Sequence, residues 1–418
     1  MSKYVISGGN KLYGSVKAQS AKNALLPLIS ACIMIEGEVT FTNSSMLGDV
    51  SIMLSIIKSL GGNYTYSNGN LKVDCTNLYS SEMPCDLTRK IRASVFMLGP
   101  LLARFKNVVT YLPGGCQIGS RPIDMHLDGF KALGVKEFND GDALILKSKK
   151  LRGTKIKLKY ASVGVTENLI MCAVLSEGET VLLNSAKEPE IVCLVKFLRL
   201  FGAKIKGEGT STIVIEGVKK LKSKNITFMP ISDRIEVGTY ILSVLGTGGE
   251  IEVENANFLH NVALIKKIYN NACKIILTND KIYIKCVGIG KSLSYTRTAP
   301  YPKFPTDLQT PLCAYATTLN GTSYVEESVF DNRFMQLKEL ERMGAKISVN
   351  GNVSKIEGVN ELVGTAVTAL DLRGGASLII AGLKASGQTV IDNAQIIERG
   401  YLDIEKKLSL LGADIKKV

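Results

Sequence analysis

Tryptophan is absent from these 418 residues, histidine occurs twice, and aromatic residues reach only 6%. With His126 and His260 alone, a histidine-based metal site or triad is not expected. The nine cysteines include no CxxC pair and are scattered, so they read as reduced thiols rather than a disulfide framework or zinc site. No apolar run reaches the roughly 18 residues of a membrane span. Residues 24–35, among the longest, are broken by Pro27 and Ser30. The opening MSKYVISGGN lacks the apolar segment of an export signal, and a cytoplasmic protein is expected. Arginine-rich runs interleaved with aromatics are also lacking, which argues against nucleic-acid binding.

What is present is positive charge, +13 in net terms, which favours anionic partners such as phosphorylated substrates or nucleotides. The densest lysine cluster, residues 147–159, alternates with Ile and Leu as on the wet face of a strand. Hydrophobic residues make up 45% and charged residues 21%, a globular composition. The length exceeds what one ordinary core supports, so at least two domains are expected.

The chain repeats itself. Variants of Leu-Gly-Ala-Lys-Ile recur around Gly61, Gly134, Gly202, Ala272, Gly344 and Gly412, at steps of about 70 residues. A second phrase, Gly-Glu followed by alternating strand residues, tracks it at Gly37, Gly178 and Gly249 and in weaker form at Gly321 and Gly387. Each unit reads as a helix apolar nearly all round, a strand, an amphipathic helix stopped by the repeated glycine, and two returning strands. The sixth unit ends at Val418 without its return strand, and residues 4–16 resemble one. The expectation is an α/β protein of two three-repeat domains: residues 22–229, and residues 1–21 with 230–418. Two chain crossings would hinge the domains around a cleft.

Polar residues mark equivalent points. Lys22, Arg92, the Ser162–Gly164 turn, Asp233, Asp307 and Arg373 open the first helices. Asp49, Arg121, Glu188, His260, Arg333 and Arg399 precede the second helices. Converging helix N-termini with several cations would hold a polyanion. Asp233 reads as a capping residue, and both histidines read as surface or capping residues rather than catalysts.

The stretch at residues 111–126, YLPGGCQIGSRPIDMH, is a glycine- and proline-rich loop. It carries Cys116 five residues before Arg121, with Pro122 at the mouth of a helix. A thiol beside a cation has a lowered pKa and suits a nucleophile or proton donor.

At these residues the sequence resembles the UDP-N-acetylglucosamine 1-carboxyvinyltransferases, a family of enolpyruvyl transferases. The resemblance covers the whole chain, from Gly8-Gly9 and Ser20-Ala21-Lys22-Asn23-Ala24 through the cysteine loop, Glu188-Pro189-Glu190 and Asp371-Leu372-Arg373 to Arg399-Gly400-Tyr401. It implies two inside-out α/β barrel domains, each of three repeats, helices inside and sheets outside. It also implies transfer of the enolpyruvyl group of phosphoenolpyruvate to the 3-hydroxyl of UDP-N-acetylglucosamine, with release of phosphate and no metal or organic cofactor. That reaction opens peptidoglycan precursor synthesis and is the target of fosfomycin. By resemblance Cys116 is proton donor and site of a covalent adduct, and Asp307 is the base. Lys22, Asn23, Arg121 and Arg399 hold phosphoenolpyruvate, with Lys22 and Arg399 also serving catalysis. The nucleotide sugar falls to Asn23, Arg92, Arg121, Pro122, Ile123, Asp124, Met125, Ser162, Val163, Gly164, Asp307, Val329 and Phe330. The sequence departs from many members at Tyr160, where they carry lysine; here Lys159 stands beside it.

Three other readings compete. The enolpyruvyl transferase acting on shikimate 3-phosphate shares the fold but lacks the cysteine loop. An RNA 3′-end cyclase of related repeats would need a histidine in a nucleotidylation motif, and neither histidine sits in one. A non-catalytic sugar-nucleotide sensor would have lost Cys116, Asp307 or Arg399, and all three are present.

Overall fold

The computed structural model describes residues 2–114, 123–222 and 225–418. The third repeat shows the common plan. A short strand, Lys155–Lys157, leads into the helix Val163–Ala173 and then the strand Glu179–Leu183. The amphipathic helix Pro189–Leu200 follows, then the strands Lys204–Lys206 and Thr212–Glu216. The first two strands pair in parallel, Val181 opposite Lys155, as a helical crossover between neighbours requires. The remaining pairings are antiparallel, Val181 opposite Val214 and Ile205 opposite Ile215. The same strand order recurs in five four-stranded sheets. A sixth sheet, built on Asn107–Tyr111, has three strands and a lone parallel bridge, Glu82 to Val109, where the others have their first strand. Among the described residues no sheet closes on itself. The architecture is α/β with open mixed sheets.

Contacts divide the described chain into two units: residues 2–19 with 232–418, and residues 20–114 with 123–222 and 225–231. In the first unit the helices Arg234–Thr247, Gln309–Ala316 and Leu372–Lys384 pack on one another. Residues 235–246 of the first of these and 373–383 of the last are all buried. A helix apolar on every side can only sit inside. In the other unit the helices Lys22–Ala31 and Leu98–Phe105 both pack on Val163–Ala173.

The repeated glycine ends the second helix in the left-handed region. Gly61, Gly134, Gly202, Gly344 and Gly412 have φ of 104°, 95°, 96°, 93° and 95°, where a side chain is disfavoured. The fourth repeat puts Ala272 there, at φ 54°.

The N-terminal residues form two strands rather than one. Tyr4–Ser7 lies between Gln388–Asp392 and Asp414–Lys417, antiparallel to both, and fills the gap in the sixth repeat. Leu12–Lys17 runs parallel to Gly249–Glu254 as the first strand of the fourth repeat. The break falls at Gly8 and Gly9. A Cβ on Gly8 would stand 2.1 Å from the Ala385 carbonyl oxygen, and Gly9 has φ 89°. Among the described residues no helix is long and apolar enough to cross a membrane.

Candidate active site

In the unit of residues 2–19 and 232–418, polar side chains gather where the three buried helices begin. Asp371 caps Leu372–Lys384, accepting from the N–H groups of Arg373 at 2.9 Å and Gly374 at 3.0 Å. Asp233 caps Arg234–Thr247 in the same way, accepting from Ile235 at 2.8 Å and Glu236 at 3.2 Å. Asp307 sits in the short turn Thr306–Leu308 ahead of the third helix. It is gripped by two arginines. Arg333 Nη2 donates to Oδ1 at 2.6 Å, and Arg373 Nη2 donates to Oδ2 at 3.2 Å.

Both guanidinium groups are nearly inaccessible, at 4% and 3% side-chain exposure, while Asp307 keeps 24%. The carboxylate is therefore the solvent-facing member of the trio. Burial works against the charge on Arg373, but Tyr401, Asp307 and Asp233 outweigh it and raise its pKa. Arg333 Nε and Arg373 Nε and Nη1 lack a hydrogen-bond partner among the described residues. A donor left unpaired away from water costs about 1–3 kcal/mol. Three carboxylates thus neighbour the two arginines: Asp307, Asp233 and Asp371, whose Oδ1 lies 3.7 Å from Arg333 Nη1.

The loop next to this trio is held by Glu327, itself only 3% exposed. Its carboxylate accepts from Val329 N at 2.7 Å, Phe330 N at 3.1 Å, Thr298 Oγ1 at 2.9 Å and Thr306 Oγ1 at 2.8 Å. Glu327 thereby ties Val329 and Phe330 to the turn that carries Asp307. Val329 is 40% exposed, and the Arg333 guanidinium lies 5.2 Å from the Phe330 ring centre. Arg399 follows the short helix Ala394–Ile397. Its neighbours are pinned by the buried Gln19 side chain, which donates to Gly400 O at 2.8 Å and accepts from Leu402 N at 3.1 Å. Gln19 is fixed in turn by its backbone N–H to Glu236 Oε2 at 2.7 Å. Burial raises the pKa of Glu236, and Lys407, at 2.6 Å, opposes the rise.

In the other unit Lys22 opens the helix Lys22–Ala31 and bonds Asp49 Oδ2 at 3.0 Å, with both side chains largely buried. Asn23 is half-buried beside it. The turn that begins with Arg92 packs against this helix and against Val163–Ala173. Ser162 caps the latter helix by accepting from Val165 N at 3.5 Å. Ser162, Val163 and Gly164 all remain partly accessible, so the N-terminus is open to a ligand. Asp124 is exposed, whereas Ile123 and Met125 are 5% and 9% exposed. Contact at those two positions would therefore come chiefly from the backbone.

His126 is not a surface residue. It is 5% exposed, and Asn168 Nδ2 lies 3.1 Å from its Nδ1. Lys159 stands beside the Tyr160 position where many members carry lysine. It pairs with Asp128 at 3.0 Å, which raises its pKa, and Tyr160 is 60% exposed. Cys116, Arg121 and Pro122 lie outside the described residues. Sequence reasoning placed Arg333 and Arg373 among the repeated polar positions, counted Arg373 among the cations that would hold a polyanion, gave Arg333 no role, and missed Gln19 and Glu327. For Gln19 the signal was its place just ahead of Ser20-Ala21-Lys22; Glu327 carried none.

The chain is similar over its whole length to known proteins. The family described as EPSP synthase (3-phosphoshikimate 1-carboxyvinyltransferase) matches residues 6–408. UDP-N-acetylglucosamine 1-carboxyvinyltransferase 2 of Caldanaerobacter subterraneus is 44% identical over the full length of both chains. Its namesake from Bacillus subtilis is 42% identical, covering 99% of this chain and 96% of its own. Among solved structures, the enolpyruvyl transferase NikO from Streptomyces tendae superposes with a TM-score of 0.89 at 23% identity, over 100% of this chain and 99% of its own. EPSP synthase from Acinetobacter baumannii does so at 0.77 and 17%, over the whole of both chains.

Proposed function

That the chain belongs to the enolpyruvyl transferase family, among the UDP-N-acetylglucosamine 1-carboxyvinyltransferases, is the premise from which we propose its reaction. It transfers the enolpyruvyl group of phosphoenolpyruvate to the 3-hydroxyl of UDP-N-acetylglucosamine and releases phosphate, as the first committed step of a cytoplasmic route to peptidoglycan precursors. The observation that carries this reading is Asp307, a partly exposed carboxylate between two buried guanidinium groups.

The chemistry follows from the charges. The sugar 3-hydroxyl oxygen attacks C2 of phosphoenolpyruvate while its proton passes to Asp307. C3 gains a proton from Cys116, and a tetrahedral ketal results. Loss of phosphate from C2 and of a proton from C3 restores the double bond. Arg333 and Arg373 hold Asp307 in place. Lys22, Arg121 and Arg399 supply charge for the phosphate. The Ser162–Gly164 helix start, Arg92, Asn23, residues 121–125, Val329 and Phe330 are assigned to the nucleotide sugar. The two units are read as three-repeat domains.

Phosphate release from phosphoenolpyruvate tests the reading. Release is expected with UDP-N-acetylglucosamine as acceptor and not with shikimate 3-phosphate. Release with shikimate 3-phosphate alone, or with neither acceptor, overturns it.

A further inference from the structure

Two cysteines face each other across neighbouring strands far from the polar cluster in sequence. Cys273 opens the edge strand Cys273–Leu277, and Cys286 closes its antiparallel neighbour Lys281–Cys286. The register sets Cys273 directly opposite Cys286. Their rung in the ladder decides what the thiols can do. Val287 donates its N–H to the Ala272 carbonyl at 2.9 Å, and Thr278 donates to that of Lys281 at 3.0 Å. Bonded and non-bonded rungs alternate, so both flanking bonds make the Cys273–Cys286 rung a non-bonded one. On such a rung the α-carbons stand about 4.5 Å apart and the side chains are at their closest. A disulfide needs α-carbons about 4.4–6.8 Å apart.

The thiols are also reachable. Cys273 and Cys286 are half-buried, whereas Cys32, Cys75, Cys172, Cys193 and Cys313 are buried. Cys85 is half-buried too, but lies in the short helix Cys85–Thr88 of the other unit. Each of the paired thiols now spends its hydrogen on a carbonyl, Cys273 on Ile268 at 3.1 Å and Cys286 on Gly288 at 3.3 Å. The pKa of Tyr315 is raised by burial first, then by Cys286 and Cys273. The strand they would fasten has a ladder neighbour on one side only. It exposes Ile276 at 61% and Leu277 at 38%, and an apolar edge that frays is a template for wrong pairing.

We propose that Cys273 and Cys286 form a dithiol modification site, closed to a cross-strand disulfide by a low-molecular-weight disulfide such as oxidised glutathione. One thiolate attacks a sulfur of the oxidant, whose S–S bond breaks and releases one glutathione thiol. The second thiolate attacks the protein sulfur of that mixed disulfide, forms the Cys273–Cys286 bond and releases the second glutathione thiol. The protein loses two protons and two electrons, and the oxidant gains both. The bond fastens the edge strand to its neighbour.

The test uses the full chain, equilibrated in mixtures of oxidised and reduced glutathione, quenched with a thiol alkylator and mapped by peptide mass. The expected result is a linked Cys273–Cys286 peptide at ratios where Cys32, Cys75, Cys172, Cys193 and Cys313 are still alkylated after unfolding. Cys286→Ser should then carry glutathione on Cys273 in place of the link. Amide exchange across Cys273–Leu277 should slow by roughly tenfold on oxidation of the parent chain. Alkylation of both thiols at every ratio, a stable mixed disulfide on the parent chain, or a link to another cysteine overturns the proposal.

Discussion

At the scale of single residues, the reading turns on how burial and charge set each group to its task. Cys116 is the sharpest case. A thiol that donates a proton and accepts a covalent bond must be both acid and nucleophile. Fosfomycin, an epoxide phosphonate of the size and charge of phosphoenolpyruvate, should therefore alkylate Cys116 alone, faster when UDP-N-acetylglucosamine is present. Cys116→Asp should keep measurable turnover and escape alkylation. Cys116→Ser should lose both, and peptide mapping with a phosphate-release assay reads the outcome; near-parental activity of Cys116→Ser would refute the assignment. Glu167 is the opposite kind of residue. It is fully buried in Val163–Ala173, and both its carboxylate oxygens lack a partner among the described residues. Burial, then the charges of Glu190 and Glu188, raise its pKa well above the ordinary 4.5. An acid whose pKa is raised on folding holds its proton in the folded state after the unfolded chain has lost it. Stability is then lost as pH rises above 4.5, by about 1.4 kcal/mol per unit, until the folded carboxyl itself ionises. Glu167→Gln removes that loss, so its gain in melting temperature should be larger at about pH 8 than at about pH 5. A gain independent of pH would show that Glu167 is not held protonated.

At the scale of elements, the six repeats act as internal controls on one another. Five end their second helix with a glycine at positive φ, and the fourth forces Ala272 into the same region. A left-handed backbone costs a side-chain-bearing residue roughly 1–2 kcal/mol. Glycine returns about 0.4–1 kcal/mol of that through the freedom of its unfolded chain. Ala272→Gly should thus stabilise the protein by roughly 0.5 kcal/mol, a shift a denaturant midpoint can resolve; a loss of stability would place the strain elsewhere. The helix cores were legible in sequence because an all-apolar helix announces burial: residues 167–175 and 237–245 fall largely within Val163–Ala173 and Arg234–Thr247. The edges were not. The break of residues 4–16 into two strands depends on Gly8 lying against Ala385, a contact made across more than three hundred residues of chain.

At the scale of the whole molecule, the last repeat is finished by the first residues. Tyr4 and Ile6 are fully buried, and Tyr4–Ser7 is the neighbour that holds Asp414–Lys417 in its sheet. Burying one such side chain contributes roughly 1.5–3 kcal/mol. Removing residues 1–8 should cost several such amounts, lower the melting temperature markedly and open residues 404–418 to protease; an unchanged melt would mean that the C-terminal strand stands alone. The repeat period, the buried helices, the glycine stops and the family motifs were determined by the sequence itself, because each depends on local pattern and backbone preference. The sequence already marks Asp233 as a cap, but only the tertiary structure shows Asp371 capping its helix and Asp307 held by arginines. Asp233, Asp307 and Asp371 occupy like places in their repeats, but only packing sets two buried arginines against Asp307, and no pattern along the chain encodes that neighbour list.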